Sequence, residues 1–281
     1  MASEKQVEKT SFARRLGQTL KGIAKLMLCS KKVSYRCVKH DVPLVVLGNG
    51  PSLGATIAEH IDKLREYDTM AVNFAANTAE FRLLKPKCYI LADPHFFDNA
   101  GDKNVASLLA SLQAVDWPMT LFVPFPAKKH NPLCPTEYLK IEGYNAVGAE
   151  GFDWFTRWAY SRRLAMPRPR NVLIPAIMTG IGMGYERIYL TGADHSWMRT
   201  VSVDENNGVY SALTHYYKDN DSEEKRVRKE YLKYPLHHVI YSFYVAFKAY
   251  FEIEAFARWR GVEILNSTPG SYIDAFRRAA L

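Results

Sequence analysis

The sequence predicts a single α/β domain built on an open, mostly parallel sheet with helices on both faces. Three observations carry this. From residue 42 onward, short apolar runs alternate with segments of helical length. The runs are rich in β-branched residues and apolar on both faces, as strands covered by helices on two sides tend to be. A chain of 281 residues, 48% hydrophobic and 23% charged, is also long enough to bury one substantial core. Such alternation is Rossmann-like and implies right-handed crossovers.

The N-terminal segment comes first. Residues 1–40 hold ten basic and two acidic side chains, so the whole net charge of +8 resides there, while residues 41–281 are neutral. Phe12, Leu16, Leu20, Ile23 and Met27 recur at helical spacing, with Arg14, Arg15, Lys21 and Lys25 mainly off that stripe. A basic amphipathic helix is expected, lying on an anionic membrane surface or on protein, its own domain or a partner subunit. Gly17 and Gly22 each weaken such a helix by about 1 kcal/mol, so it needs a surface. Nucleic acid is not an expected partner, because the neutral body offers no basic groove.

No secretory signal or spanning helix is expected, since even the most hydrophobic long stretch, 239–257, carries Lys248, Glu252 and Glu254. Cys29, Cys37, Cys88 and Cys134 form neither a CxxC pair nor a zinc spacing. Free thiols in a cytoplasmic protein are the expectation, with the inner face of a membrane as a peripheral location open to it.

In the body, strands are predicted at 42–47, 69–73, 88–92, 119–123, 187–192 and 262–266. Helices are predicted at 51–67, 103–114, 152–163, 171–184, 236–260 and 271–280. Four prolines mark 124–135 as an irregular loop. The polar stretch 196–235 reads as a lid inserted into the domain of residues 41–281. The aromatic run Tyr241, Phe243, Tyr244, Phe247, Tyr250 and Phe251 reads as core or as a homo-oligomer contact.

Three clusters carry chemistry. In VVLGNGPSL, a strand ends in a glycine turn, where Gly48 and Gly50 permit positive φ or close approach and Pro51 suits a first helical turn. Strand, turn and helix N-terminus together present amides and a dipole end to an anion, with Asn49 and Ser52 beside them. Asn73 and Asp93 follow the next two strands, where residues beyond carboxyl ends line the crevice of an open sheet. Gly192, Asp194 and His195 follow the strand in GYERIYLTGADH, behind a helix whose small residues permit close packing.

GNGPSL, the Asn after the second strand and GYERIYLTGAD together resemble the bacterial family 42 sialyltransferases. The same outline is similar to the broader MptE-like family, named for a 6-hydroxymethylpterin diphosphokinase. The resemblance implies binding of a CMP-activated sugar by Gly48, Asn49, Gly50, Ser52 and Asn73. It also implies a lid histidine as base, for which His237 and His238 are candidates with His215 as an alternative. Tyr210, Tyr216 and Tyr217 would meet the departing phosphate. The chain departs from the sialyltransferases in having Asp93 where they have Asn, and Asn171-Val172-Leu173 where they have Thr-Ser-Gly.

The expected function is a metal-independent glycosyltransferase that joins a sugar from a nucleotide donor to a surface-glycan acceptor, with no resident cofactor. Asp219, Asn220 and Asp221 spell a DxD pattern but read as a solvated acidic turn. Two alternatives stay open: an MptE-like diphosphokinase using ATP and Mg²⁺, with Asp93 and Asp194 as ligands, and a non-catalytic nucleotide-binding scaffold.

Overall fold

A computed structural model of the chain describes residues 11–99, 101–210 and 232–281. An amphipathic helix, α1 (Phe12–Cys29), precedes the sheet. The body runs β1 (Leu44–Leu47), α2 (Leu53–Glu66), β2 (Asp68–Val72), α3 (Ala79–Leu84), β3 (Cys88–Ile90), α4 (His95–Asp98) and α5 (Lys103–Gln113). It continues through β4 (Met119–Pro124), α6 (Phe125–Lys128), β5 (Leu139–Tyr144), α7 (Asp153–Ser161), α8 (Leu173–Met183) and β6 (Arg187–Thr191). A hairpin of β7 (Ser202–Val203) and β8 (Val209–Tyr210), the helix α9 (Leu236–Arg260), β9 (Glu263–Asn266) and β10 (Arg277–Arg278) complete the described residues.

The eight strands of the main sheet are parallel throughout and lie in the order β10-β9-β6-β1-β2-β3-β4-β5. This is an open Rossmann-like sheet. Its two faces are built by strand alternation. In β1, Leu44 and Val46 join the core formed with α7, α8 and α9, whereas Val45 and Leu47 join the one formed with α2. Helix α8 is buried along nearly its whole length. Gly180 lets it approach closely, since a Cβ there would stand 2.7 Å from Leu44 Cδ2.

After β1 the chain steps outward to β5, then returns to place β6 on the other side of β1. The strand order therefore reverses between β1 and β6, and the crevice beyond their carboxyl ends is where such sheets take ligands.

One strand was not predicted, and one predicted helix is corrected. The charged segment LKIEGY forms β5, at one edge of the sheet, where Lys140 stays exposed and Glu142 pairs with it at 2.7 Å. Residues 271–280, predicted as a helix, form turns and the short β10. There the Arg278 guanidinium donates to the carbonyls of Thr268 at 3.1 Å and Ile273 at 3.1 Å, and to that of Ser271. Side-chain donors satisfy carbonyls that a helix would have paired internally.

Candidate functional site

The turns after β1 and β6 are stitched together at the reversal point. Gly48 N–H donates to Thr191 O and Gly50 N–H to Gly192 O, each at 2.8 Å. A Cβ on Gly48 would stand 2.5 Å from Gly192 O, and one on Gly50 would lie 2.7 Å from the same oxygen and overlap the Asp194 carboxylate. Close backbone approach, rather than left-handed backbone, thus requires Gly48 and Gly50. The left-handed residue is Gly192, at φ +63°.

Pro51 leads from this turn into α2, whose N-terminus meets a carboxylate from the β6 loop. Ser52 Oγ donates to Asp194 Oδ2 at 2.8 Å, and Ser52 N–H points at the same oxygen from 3.4 Å. A negative charge beside a helix start is favourable. Asp194 is itself braced by the loop after β9. Ala193 N–H donates to Thr268 Oγ1 at 3.0 Å, Ser271 Oγ donates to Ala193 O at 2.6 Å, and Tyr272 N–H donates to Asp194 O at 2.9 Å. Asn266 holds that loop in shape, donating to Ser271 Oγ and Ile273 O and accepting from Thr268 N–H, all at 3.1 Å.

Asn49 reaches from the β1 turn to the end of β2, where its Nδ2 donates to Val72 O at 3.0 Å. Its Oδ1 is buried with no hydrogen-bond partner. The Oδ1 of Asn73 is in the same condition. Asn73 has left-handed backbone, φ 47°, and the Tyr89 hydroxyl fixes that turn by donating to Asn73 O and accepting from Ala76 N–H at 2.8 Å. Two neighbouring strands therefore end in unpartnered amide oxygens. Native proteins seldom leave such atoms unpaired, and where they do a bound group often completes them. Asp93, at the end of β3, accepts from His95 N–H at 2.9 Å and opens the short helix α4.

His195 differs from the expectation of a ligand-facing side chain. It is buried, with left-handed backbone at φ 51° and the Trp197 ring 4.1 Å away. Its Nε2 lies 2.6 Å from the Tyr250 hydroxyl, which donates to Asn171 Oδ1 at 3.0 Å. Burial holds the imidazole pKa down to about 3, so the ring is neutral near pH 7. Because Tyr250 gives its proton to Asn171, His195 must be the donor at Nε2. Leu173 N–H also donates to Asn171 Oδ1 at 3.0 Å, which leaves the buried Nδ2 of Asn171 without a partner. His195 thus supports Asn171 through Tyr250.

The structure therefore brings Gly48, Asn49, Gly50, Pro51, Ser52, Gly192 and Asp194 together, with Asn73 beside Asn49. His237 and His238 lie elsewhere. Both are exposed at the start of α9, their rings 4.4 Å apart, about 20 Å along the helix from Tyr250 at 1.5 Å per residue. Tyr210 ends the hairpin in β8. His215, Tyr216, Tyr217 and the Asp219–Asp221 triplet lie outside the described residues. Among the described residues, no group of three His, Cys, Asp or Glu side chains is placed to hold a metal ion. Nor is any helix among them long and apolar enough to cross a membrane.

Tyr89, Tyr250, Asn266, Thr268 and Ser271 were not among the expected site residues. The signal for two of them was present: Asn266-Ser267-Thr268 follows an apolar strand just as Asn73 does.

No protein-family model matches this chain, and no curated protein sequence does. Among solved structures it is similar to the MAf glycosyltransferase of Magnetospirillum magneticum AMB-1, with a TM-score of 0.47 and 11% sequence identity. The similarity covers 97% of this chain and 39% of that one, so the chain spans about two fifths of that protein's length.

Proposed function

We propose that the chain transfers a sugar from a nucleotide-activated donor to an acceptor hydroxyl, the donor lying beyond the carboxyl ends of β1, β2 and β6. The observation that carries this reading is the pair of buried, unpartnered oxygens, Asn49 Oδ1 and Asn73 Oδ1, beside the strand-order reversal. They accept from hydroxyl or amino groups of the donor. The resemblance of GNGPSL, Asn73 and GYERIYLTGAD to family 42 sialyltransferases makes a CMP-activated sugar the donor of choice.

Asp194 sharpens the placement of the donor. A phosphate resting on the α2 N-terminus competes with the Asp194 carboxylate for Ser52 N–H and Oγ, and like charges repel there. In this reading Asp194 stays and takes a donor hydroxyl with its remaining lone pairs. The Gly48 and Gly50 amides are committed to Thr191 O and Gly192 O, so the phosphate is left to the lid tyrosines Tyr210, Tyr216 and Tyr217.

The bond between the anomeric carbon and the phosphate oxygen breaks through an oxocarbenium-like state, and the acceptor oxygen bonds to that carbon. The acceptor's proton passes to a histidine base, His237 or His238, and the nucleotide leaves with the bonding electrons. Hydroxyl donors aimed at the departing phosphate stabilise its developing charge. No metal takes part.

Melting the full chain with CMP, CDP, UDP, GDP or ATP, each with and without Mg²⁺, tests the reading. Ligand at a hundredfold excess over its dissociation constant adds ~2.7 kcal/mol, several degrees for a domain this size. Stabilisation by CMP without Mg²⁺ is expected. A response confined to ATP with Mg²⁺ would replace transfer of a sugar by transfer of pyrophosphate, and no response to any nucleotide would remove the site.

A further inference from the structure

Helix α1 has three sectors at 100° per residue. Thr19, Gly22 and Leu26 form the first, and all are buried against the body. A Cβ on Gly22 would stand 2.6 Å from a ring carbon of Phe155, so the backbone lies directly on that ring. Thr19 Oγ1 accepts from Phe152 N–H at 2.9 Å, and Arg15 pairs with Asp153 while covering the Phe152 ring at 5.1 Å. The helix is held in a fixed orientation.

The second sector is the apolar stripe, exposed along the flank of the helix beside the buried sector, with Phe12 at its start packed on the Phe152 ring at 5.3 Å. Phe12 is 72% exposed, Leu20 60%, Met27 81% and Leu28 86%, with Leu16 and Ile23 exposed beside them. The third sector borders it and carries Lys21, Arg14 and Lys25, all exposed. On the body side of the seam, Trp154 and Trp158 are exposed one turn apart on α7. Their rings lie 6.0 Å and 6.4 Å from Phe155, the ring under Gly22. Soluble monomers rarely leave a contiguous apolar face of this kind uncovered.

We propose that this face docks on an anionic phospholipid bilayer, with α1 lying in the plane of the interface. The apolar stripe enters the acyl boundary, Lys21, Arg14 and Lys25 sit at headgroup level, and Trp154 and Trp158 anchor the body beside the helix. Charge selects lipid over a second copy of the chain. The segment carrying this face holds the whole net charge of +8, so pairing two copies would bring like charges together, whereas an anionic surface is complementary. The proposal stands independently of the reaction in the crevice.

The test is flotation of the full chain with vesicles of phosphatidylglycerol and phosphatidylcholine, and with phosphatidylcholine alone. Binding is expected to the anionic vesicles, weakening at least tenfold without phosphatidylglycerol. Leu20→Glu/Met27→Glu should abolish it while leaving the melting temperature unchanged, because both side chains are in solvent. Lys21→Gln and Lys25→Gln should each weaken it about fivefold, the equivalent of ~1 kcal/mol. Equal binding by the double variant, or no binding by the wild type, overturns the proposal. So does a dimer in light scattering that the double variant abolishes.

Discussion

Ser52 Oγ donates to Asp194 Oδ2 across 2.8 Å, joining residues 142 positions apart at the one place where the strand order reverses. This contact ties the start of α2 to the end of β6 and puts a carboxylate where a helix N-terminus would otherwise face an anion. Gly50 and the loop after β9 are arranged around it. Gly50 must be glycine because of Asp194, and the loop after β9 exists in its observed form because it holds Ala193 and Asp194 by three hydrogen bonds.

Replacing Asp194 by Ala removes both the charge at the helix start and the partner of Ser52. A loss of about 1–2 kcal/mol in urea unfolding is expected, with Asp194→Asn losing less because an amide oxygen still accepts. Loss of sugar transfer in Asp194→Asn at preserved stability would mark the carboxylate as part of the donor site.

Gly50→Ala and Gly261→Ala separate two reasons for glycine. Gly50 has backbone and carboxylate in the space of a Cβ, so its substitution should cost several kcal/mol, about 3 or more. Gly261 is left-handed at φ +73° with nothing within 4 Å, so its substitution should cost only about 1 kcal/mol. Equal losses in chemical denaturation would mean that the β1–β6 contact is looser than its distances imply.

Acid should weaken the fold through His195. Its pKa is lowered from 6.5 to about 3 by burial, so the unfolded chain takes up the proton more readily than the native one. The contribution is complete above pH 6.5 and is lost as pH falls from there toward 3, amounting to roughly 2 kcal/mol by pH 5. Unfolding measured at pH 7 and pH 5 should show this slope, and His195→Gln should flatten it.

Tyr250→Phe cuts the chain from His195 to Asn171. Two buried groups, His195 Nε2–H and Asn171 Oδ1, lose their shared partner, and Oδ1 keeps only Leu173 N–H. Destabilisation of about 1–3 kcal/mol is expected by calorimetry. The phenyl ring of the variant keeps the packing, so a larger loss would point to rearrangement of the α8–α9 seam.

Much of the sheet was legible because its inner strands are continuously apolar: β1, β2, β3, β4, β6 and β9 all lie where the apolar runs stand. The strand β5 was not, because an edge strand alternates charge with apolar residues, and LKIEGY follows a proline-rich approach that reads as loop. The C-terminal segment has helical periodicity, yet Asn266 and Arg278 override it with side-chain bonds that no local pattern announces. In the site, Gly48, Asn49, Asn73 and Asp194 were legible because each sits at a strand end. That Asp194 would take Ser52 was not, since nothing in either stretch encodes their pairing. His195 reads in the sequence as facing a ligand because a strand-end histidine usually has solvent before it; here Trp197 and α9 cover it.

Asn49 Oδ1 and Asn73 Oδ1, buried and unpartnered, are the acceptors proposed for a nucleotide. Calorimetric titration of CMP into the full chain, Asn49→Ala and Asn73→Gly tests this central claim most directly, glycine being chosen because position 73 is left-handed. Binding by the wild type without Mg²⁺ is predicted, at least tenfold weaker in each variant while circular dichroism is unchanged, a loss of ~1.4 kcal/mol per missing hydrogen bond. Absence of binding by the wild type, or equal affinity in all three proteins, would contradict the claim.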